Sequence, residues 1–143
     1  MNPNIFREYD IRGIVGEHLN GEIVGKIGLA IGGYFCENNV KRIAIGFDAR
    51  ESSPEFCEIL VKSLNETGCD CAILGQIPSP VLYFATFTQN VDGGVMITGS
   101  HNPSNHNGFK ISLGKDSIYG SQIQEIRELA LAEDFPEGAG TNE

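Results

Sequence analysis

One stretch of this sequence gathers side chains that could do chemistry. Residues 98–108 read Thr-Gly-Ser-His-Asn-Pro-Ser-Asn-His-Asn-Gly and contain three hydroxyl side chains and two of the chain's three histidines. The apolar run that leads into them predicts a central strand, and open α/β sheets bind their ligands at the carboxyl ends of such strands. Two interpretations follow: a loop that positions Ser100 as a nucleophile, or a solvated turn made of turn-forming residues.

The surroundings of Ser100 argue against a serine hydrolase and are compatible with phosphate chemistry. A hydrolase elbow requires Gly-x-Ser-x-Gly, and neither flanking glycine is present here. Lys110 lies just beyond the loop, and Arg12 belongs to a Tyr-Asp-Ile-Arg-Gly segment at 9–13. If the two cations converge on Ser100 they suit a phosphate group, because a guanidinium binds two oxygens and an ammonium adds a compact charge. Taken singly, each cation fits an exposed salt-bridge partner better.

The composition narrows the function classes and the compartment. The chain has 143 residues, of which 41% are hydrophobic, and a net charge of −9; this size and hydrophobic content suit one ordinary globular domain. Such an acidic protein is repelled by nucleic acids and by anionic membranes, so neither is expected as a partner. No apolar run reaches the length of a membrane span, and no basic segment precedes an apolar one at the N-terminus. We therefore expect a cytoplasmic protein.

The four cysteines predict reduced core residues rather than disulfides or a metal site. They are Cys36, Cys57, Cys69 and Cys71, and a chain of this length can fold without disulfides. Alternation in a strand would put Cys69 and Cys71 on the same sheet face, but no further Cys or His stands at a ligand spacing. A metal site at this pair is therefore not expected.

The first long element that must support the loop is a helix. Apolar residues at three- and four-residue steps predict it over 22–35. Gly25, Gly28 and Gly32 follow the same steps, although glycine lowers helix propensity. Glycines at this spacing predict a face where the helix packs closely against other backbone.

Strands and helices then alternate along the chain. Short apolar runs predict buried strands at 43–47, 71–74 and 91–98. Ser-Pro pairs at 53–54 and 79–80 predict the starts of the helices between them, with Ser53 as an N-cap. This alternation indicates a three-layer α/β/α fold with a mixed, mainly parallel sheet and one antiparallel edge strand.

The last third of the chain departs from this alternation of strands and helices. Residues 107–113 alternate apolar and polar, which predicts an edge strand, and the connection from residue 98 is too short for a parallel crossover. This strand should therefore run antiparallel to the preceding one. Ser121 and Gln124 resemble a capping box for a final helix. We expect one domain over 1–135 and a linker over 136–143 toward further domains. A frayed chain terminus would have the same composition, so that interpretation of 136–143 stays open.

Three motifs read together resemble the first domain of the α-D-phosphohexomutases. They are Phe-Arg-Glu-Tyr-Asp-Ile-Arg-Gly at 6–13, Gly-Phe-Asp-Ala-Arg-Glu-Ser-Ser at 46–53, and Thr-Gly-Ser-His-Asn-Pro at 98–103 with Asn-Gly-Phe-Lys at 107–110. The Ser-His-Asn-Pro loop is a specific signal, and the resemblance covers essentially the whole chain. Within the family, the Tyr-Asp-Ile-Arg-Gly opening is most similar to bacterial phosphomannomutase/phosphoglucomutase, whereas phosphoglucosamine mutases usually open with Thr-Asp-Gly-Ile-Arg-Gly.

The resemblance implies an isomerase that interconverts hexose 1-phosphate and hexose 6-phosphate by phosphoryl transfer. Ser100 would be the phosphoserine that forms a hexose 1,6-bisphosphate and is then rephosphorylated by it, with positioning and charge stabilisation supplying most of the catalysis. By the same resemblance, Arg12 and Lys110 are catalytic cations, and Lys110 assists proton transfer. The other expected site residues are His101 as a catalytic loop residue, Asn102 and Tyr9 as substrate contacts, and Asp48 and Arg50 in a supporting role.

The resemblance also implies parts that this chain does not contain. The family enzymes have four domains, so the Asp-Gly-Asp-x-Asp metal loop, the sugar loop and the distal phosphate loop would lie beyond Glu143. A phosphorylated Ser100 could give Mg²⁺ only one ligand, which does not hold this hard cation firmly. The expected partners are hexose phosphates, including hexose 1,6-bisphosphate as intermediate and activator, and domains II–IV of the same polypeptide. We expect the isolated domain to be inactive.

Two alternatives stay open at this point. One is another phosphohexomutase, acting on glucosamine phosphate or a pentose phosphate, against which the opening motif argues. The other is a stand-alone, non-catalytic module that keeps the loop and binds sugar phosphates without turnover.

Overall fold

The computed structural model describes residues 1–88 and 90–143 and contains one six-stranded sheet with helices on both faces. In chain order the elements are β1 (Ile11–Ile14), α1 (Gly21–Glu37), β2 (Arg42–Phe47), α2 (Ser53–Glu66), β3 (Asp70–Gln76), α3 (Ser79–Thr88), β4 (Gly93–Ile97), β5 (His106–Leu113), β6 (Asp116–Ser117) and α4 (Ser121–Ala132). The predicted α/β class and its alternation of strands and helices are confirmed. Within these two ranges, no helix is long and apolar enough to cross a membrane.

The sheet has the strand order β1-β5-β4-β2-β3, and the short β6 pairs with β5. β2 is parallel to β3 and to β4, whereas β5 is antiparallel to both β4 and β1. The antiparallel pairing predicted from the short connection is confirmed, because Phe109 lies opposite Ile97 and Leu113 opposite Gly93. Strands β1 to β4 therefore all point the same way, and β5 alone among these five runs against them.

The predicted position of β5 at the sheet edge is wrong. β1 pairs along its other side, with Ile11 opposite Phe109 and Ile14 opposite His106, and β1 takes the edge instead. Polar and apolar residues alternate along β5, which gives the strand one polar face, and this pattern suggested an edge strand. That alternation reports which sheet face is polar and carries no information about neighbours in the sheet plane.

Alternation along the strands divides the core between the two sheet faces. On one face, α1 packs against α2 and α4, and the main core holds the strand residues Ile43, Ile45, Val95, Ile97, Phe109 and Ile111. On the other face, Ala44 and Met96 pack with Leu82 of α3. The chain passes from β2 outward to β3 and back across β2 to β4. Right-handed crossovers in these two directions put α2 and α3 on opposite faces.

The predicted close approach at the glycine face of α1 is confirmed, but the atoms that crowd Gly28 and Gly32 belong to side chains rather than to backbone. A Cβ added at Gly28 would lie 2.6 Å from Ser63 Cβ, and one at Gly32 would lie 2.9 Å from Thr67 Cβ. Ser63 Oγ also donates a hydrogen bond to Gly25 O at 2.9 Å. The glycines therefore let α1 and α2 pack at a distance that other side chains would prevent.

Two helix starts differ from the prediction. Ser53 is the first residue of α2 rather than its cap, and its hydroxyl donates to Asp48 Oδ1 at 2.7 Å. The proposed capping box at Ser121 is also absent: Gly120 precedes α4 without a side-chain cap, and Gln124 Nε2 donates to Phe6 O at 3.2 Å. In both places the side chain that local spacing assigned to the cap binds a group outside the helix start, five residues away for Ser53 and 118 residues away for Gln124.

The C-terminal residues run beside β3. Asn142 forms a parallel bridge with Cys71, and Gly140 N donates to Asn65 O at 2.9 Å. The Glu143 carboxylate pairs with the Arg42 guanidinium on the neighbouring strand. This segment therefore covers part of the free edge of β3, and a linker role for 136–143 stays a prediction.

Candidate active site

The loop that contains Ser100 lies at the centre of the carboxyl edge of the sheet. It follows β4, the middle strand of the five, and residues 48–52 follow β2 directly beside it. The chain leaves β2 toward β3 and leaves β4 toward β5, so the two connections diverge from adjacent strands. Ligands of open α/β sheets bind at such a divergence. Here the two segments line a cleft of about 670 Å³.

Ser100 has a left-handed backbone conformation, with a φ of 57°. This conformation costs a non-glycine residue on the order of 1–3 kcal/mol and clusters at functional sites. The Ser100 amide donates to Thr98 Oγ1 at 2.9 Å, and Lys110 Nζ lies 3.4 Å from Ser100 Oγ. The structure thus brings together the serine and the lysine that the sequence singled out.

Arg12 extends from the edge strand on the same sheet face as Lys110. It lies opposite Gly108, two residues before Lys110 on β5. Its Nη2 pairs with the largely buried carboxylate of Asp10, and its buried Nε has no hydrogen-bond partner within residues 1–88 and 90–143. The guanidinium therefore keeps donor capacity for an anion after Asp10 has neutralised part of its charge.

The other expected site residues have different surroundings. His101 is exposed on the loop, whereas Asn102 is half-buried there and lines the cleft. Tyr9 lies before the start of β1, whereas the loop is level with the end of that strand. The Tyr9 ring is 72% exposed and faces the ring of Tyr119 with centroids 6.5 Å apart.

Arg50 has a larger part in this loop than the sequence assigned to it. Its guanidinium Nη atoms donate to four loop carbonyl oxygens, with distances of 3.0 Å to Ser100 O, 2.8 Å to Asn102 O, 2.5 Å to Pro103 O and 3.2 Å to His106 O. Its Nε donates to Asp48 Oδ2 at 3.1 Å. The signal available in the sequence was the Asp-x-Arg spacing after a predicted strand, but the carbonyl partners are 50 to 56 residues away.

Asp48 connects this guanidinium to the backbone before Ser100. Its Oδ2 accepts the Gly99 amide at 3.2 Å, and its Oδ1 accepts the Ser53 hydroxyl. Burial opposes ionisation of Asp48, but hydrogen bonds from Ser53, from the Arg50 amide, from Thr98 and from Gly99 outweigh it and lower the pKa. Asp48 is therefore held as the carboxylate that Arg50 requires.

Asn107 fixes the far end of the loop and was missed by the sequence analysis. The residue is fully buried, and its Nδ2 donates to the hydroxyls of Ser52 and Ser53 at 2.9 and 3.0 Å. These partners lie more than 50 residues away. No local spacing in the sequence could have indicated them.

Metal ligands are sparse in this domain. Across residues 1–88 and 90–143, no group of three or more His, Cys, Asp or Glu side chains is arranged to hold an ion. All four cysteines are free, and three of them are buried as predicted. The prediction of a core residue is wrong for Cys36, which is exposed after the last buried turn of α1. Both oxygens of Asp48, the carboxylate next to the loop, already accept hydrogen bonds. A phosphorylated Ser100 fits a metal as one ligand, and the rest would come from elsewhere.

A larger cavity of about 730 Å³ lies away from this site. It is bordered by α2 and the C-terminal residues, with Cys57, Val61 and Ile73 among its apolar walls. It contains none of the expected site residues. Size alone therefore does not identify the functional cleft here.

Known proteins similar to this chain were found at the level of family, sequence and structure. Residues 3–137 match the family model described as phosphoglucomutase/phosphomannomutase, alpha/beta/alpha domain I. The chain is 41% identical over 143 residues to a phosphomannomutase/phosphoglucomutase of Pseudomonas aeruginosa and 45% identical over 133 residues to a phosphoglucomutase of Neisseria gonorrhoeae. A crystal structure of a phosphoglucomutase/phosphomannomutase family protein from Burkholderia thailandensis matches the whole chain with a TM-score of 0.95 and 34% identity.

The matched proteins are much longer than this chain. The chain spans 31% of the Pseudomonas protein, 28% of the Neisseria protein and 33% of the Burkholderia chain, while 100%, 93% and 100% of this chain is covered. The similarity therefore concerns about a third of each relative.

Proposed function

The chain belongs to the phosphoglucomutase/phosphomannomutase family, as its domain I, and on this basis we propose that Ser100 carries the phosphoryl group in a phosphohexomutase reaction. The protein that contains this domain interconverts hexose 1-phosphate and hexose 6-phosphate through a hexose 1,6-bisphosphate. One observation carries the proposal. Ser100 is in a left-handed conformation at the centre of the carboxyl edge, with Lys110 Nζ 3.4 Å from its Oγ.

The chemistry of the transfer assigns a role to each of these two groups. The bond from phosphorus to Ser100 Oγ breaks while a bond from phosphorus to a sugar hydroxyl oxygen forms. The hydroxyl loses its proton and Oγ gains one, so the protons balance. Lys110 is within reach of Oγ and delivers that proton, and its charge stabilises the oxygen before the proton arrives. The reverse transfer, from the other position of the bisphosphate, regenerates the phosphoserine.

The other site residues recognise and orient the sugar phosphate. Arg12 offers guanidinium donors on the same sheet face as Lys110, which suits an anionic phosphate. His101 and Asn102 follow Ser100 on the loop, with Asn102 lining the cleft, and Tyr9 contributes an exposed ring before β1. Catalysis of phosphoryl transfer is mostly positioning and electrostatic stabilisation, so such residues account for much of the rate.

This domain would supply one ligand to Mg²⁺, an oxygen of phosphorylated Ser100. When bound, the cation neutralises charge on the phosphoryl group. Its remaining ligands and the contacts that select the sugar come from domains II–IV, consistent with relatives about three times as long as this chain. The proposed location is the cytoplasm, and the 143-residue chain by itself is not expected to turn over.

The experiment compares Ser100→Ala with Ser104→Ala in the product of the complete reading frame. Ser104 is an exposed hydroxyl in the same loop, so it is a matched control. Activity is measured with Mg²⁺ on mannose 1-phosphate, glucose 1-phosphate and glucosamine 1-phosphate. Ser100→Ala should remove most activity and Ser104→Ala should not, and peptide mass spectrometry should find the phosphate on Ser100. Phosphate on Ser104, or full activity in Ser100→Ala, would refute the assignment.

A further inference from the structure

The peptide groups on the two sides of Ser100 are each held by a side chain. After Ser100, its own carbonyl oxygen accepts a hydrogen bond from Arg50 Nη2 at 3.0 Å. Before it, the Ser100 amide donates to Thr98 Oγ1 at 2.9 Å. One peptide earlier, the Gly99 amide donates to Asp48 Oδ2 at 3.2 Å, and the same oxygen accepts Arg50 Nε. Fixing the peptide planes that flank a residue fixes its φ and ψ. Arg50 fixes the peptide after Ser100, and Thr98 fixes the one before it. Together with Asp48, which holds the Gly99 amide, they set the direction in which the Ser100 side chain leaves the backbone.

The guanidinium also determines the shape of the rest of the loop. Its other contacts, to Asn102 O, Pro103 O and His106 O, turn three further carbonyl groups toward one cation. A guanidinium offers five N–H donors in one plane, whereas an ammonium offers three from a single atom. Only the arginine fork reaches acceptors spread along the whole loop while still pairing with Asp48.

The guanidinium is packed close against the loop backbone. The Arg50 side chain is 13% exposed. A Cβ added at Gly99 would overlap the guanidinium, with Nη1 only 2.7 Å away. Gly99 therefore gives the fork its close approach to the loop backbone, and the fork is seated against the residue immediately before the serine.

We propose that Arg50, held by Asp48, is a positioning residue for phosphoryl transfer at Ser100. It acts through the loop backbone and does not touch the transferring group, since its hydrogen-bond partners in the part of the chain that the structure describes are carbonyl oxygens and one carboxylate. The left-handed conformation of Ser100 persists because Arg50 holds the peptide after it and Thr98 holds the peptide before it, and this conformation directs Oγ toward Lys110. This inference rests on the proposed function.

The test replaces the planar guanidinium of Arg50 by an ammonium group in the complete polypeptide. Arg50→Lys keeps the positive charge and loses the planar fork. Arg42→Lys is the matched control, because Arg42 pairs with Glu143 far from the loop at the amino end of β2. Steady-state kinetics give kcat and KM, and amide hydrogen exchange reports the order of residues 99–106.

A misplaced nucleophile loses rate rather than substrate affinity, so kcat and kcat/KM should fall together in Arg50→Lys. A displacement of about 1 Å corresponds to a loss of about 10- to 100-fold. Exchange in 99–106 should quicken, while residues in α1 and β2 keep their protection. The Arg42→Lys control should match the parent protein in both measurements.

Several outcomes would overturn the inference. Parent kcat in Arg50→Lys would do so, and so would a raised KM at unchanged kcat, because that pattern belongs to a cation that binds substrate. If Arg50→Lys fails to fold, Gly99→Ala perturbs the same contact from the other side, and parent kcat in that variant would overturn the inference equally. Full activity in Ser100→Ala would instead refute the proposed function. The failure of the proposed function can therefore be distinguished from the failure of the inference about Arg50.

Discussion

The glycine face of α1 makes a stability prediction that needs no assay of activity. An alanine at Gly32 would place its Cβ 2.9 Å from both Cβ and Cγ2 of Thr67. Thr67 is 3% exposed at the end of α2, and its hydroxyl donates to Leu64 O at 2.8 Å. Because this side chain is packed and hydrogen-bonded, it cannot turn aside without loss. Gly32→Ala should therefore push α1 away from α2.

Gly25 offers a matched control on the same helix. A Cβ there would meet Ile59 Cγ2 at 3.7 Å and Ser63 Oγ at 3.9 Å, which are ordinary van der Waals contacts. Gly25→Ala brings the same gain in helix propensity, about 1 kcal/mol, without overlap. Any difference between the two variants therefore measures the closeness of the helix contact.

The expected magnitudes follow from three terms. Overpacking costs about 1–3 kcal/mol, and disturbing the Thr67 hydrogen bond costs about 1 kcal/mol more. With about 1 kcal/mol regained from propensity, Gly32→Ala should lower the free energy of unfolding by about 2 kcal/mol. Gly25→Ala should raise it by about 0.5–1 kcal/mol.

Urea unfolding followed by far-ultraviolet circular dichroism measures both changes. The midpoints should move in opposite directions while the slope of free energy against urea stays constant. Thermal midpoints should separate accordingly, by about 3–4 °C for each kcal/mol at this chain length. A Gly32→Ala protein as stable as Gly25→Ala would refute the reasoning, because the overlap would then have been absorbed at no cost.

Two further predictions concern titratable groups. Burial raises the pKa of the Cys57 and Cys69 thiols to about 11 and that of Cys71 to about 12. At pH 8 only the exposed Cys36 should react rapidly with a disulfide reagent, and all four thiols should react after unfolding; a second fast thiol in the native protein would contradict this. Hydrogen bonds outweigh burial and lower the folded-state pKa of Asp48, so its carboxylate stabilises the fold above the unfolded value of about 3.9 and this stability is lost as pH falls through the lower folded value. Protection of the Gly99 amide, measured by hydrogen exchange, should therefore persist to about pH 4 and fail only below it, and a loss centred above pH 5 would count against the assignment.

Local patterns in the sequence were sufficient for the types of most elements. The helix predicted over 22–35 lies within α1, and the strand predicted over 43–47 lies within β2. The direction of β5 followed from the length of one connection. These features depend on neighbours a few residues apart, so periodicity and loop length report them directly. The motif resemblance is also confirmed by the family match over residues 3–137.

Helix caps and sheet neighbours depended on partners far away in sequence. Ser53 has the residue type and position of a cap, but in the folded protein its hydroxyl binds Asn107, 54 residues away, as well as the nearby Asp48. β5 has the alternation of an edge strand, but β1, nearly a hundred residues earlier, covers its free side. A local sequence pattern indicates which interactions a residue can make. The tertiary contacts determine which of those interactions forms.

The candidate site shows the same distinction between features set by local sequence and features set by tertiary contacts. Residue types alone determined that the loop after β4 carries Ser100 and that Lys110 follows on the next strand, because both are set by short spacing around one turn. Only the tertiary structure decided that Arg50 holds this loop. Its acceptors are carbonyl oxygens, which every residue possesses and no sequence pattern distinguishes. They converge on one guanidinium only when β2 and β4 pair side by side and bring residues about fifty positions apart to the same edge of the sheet.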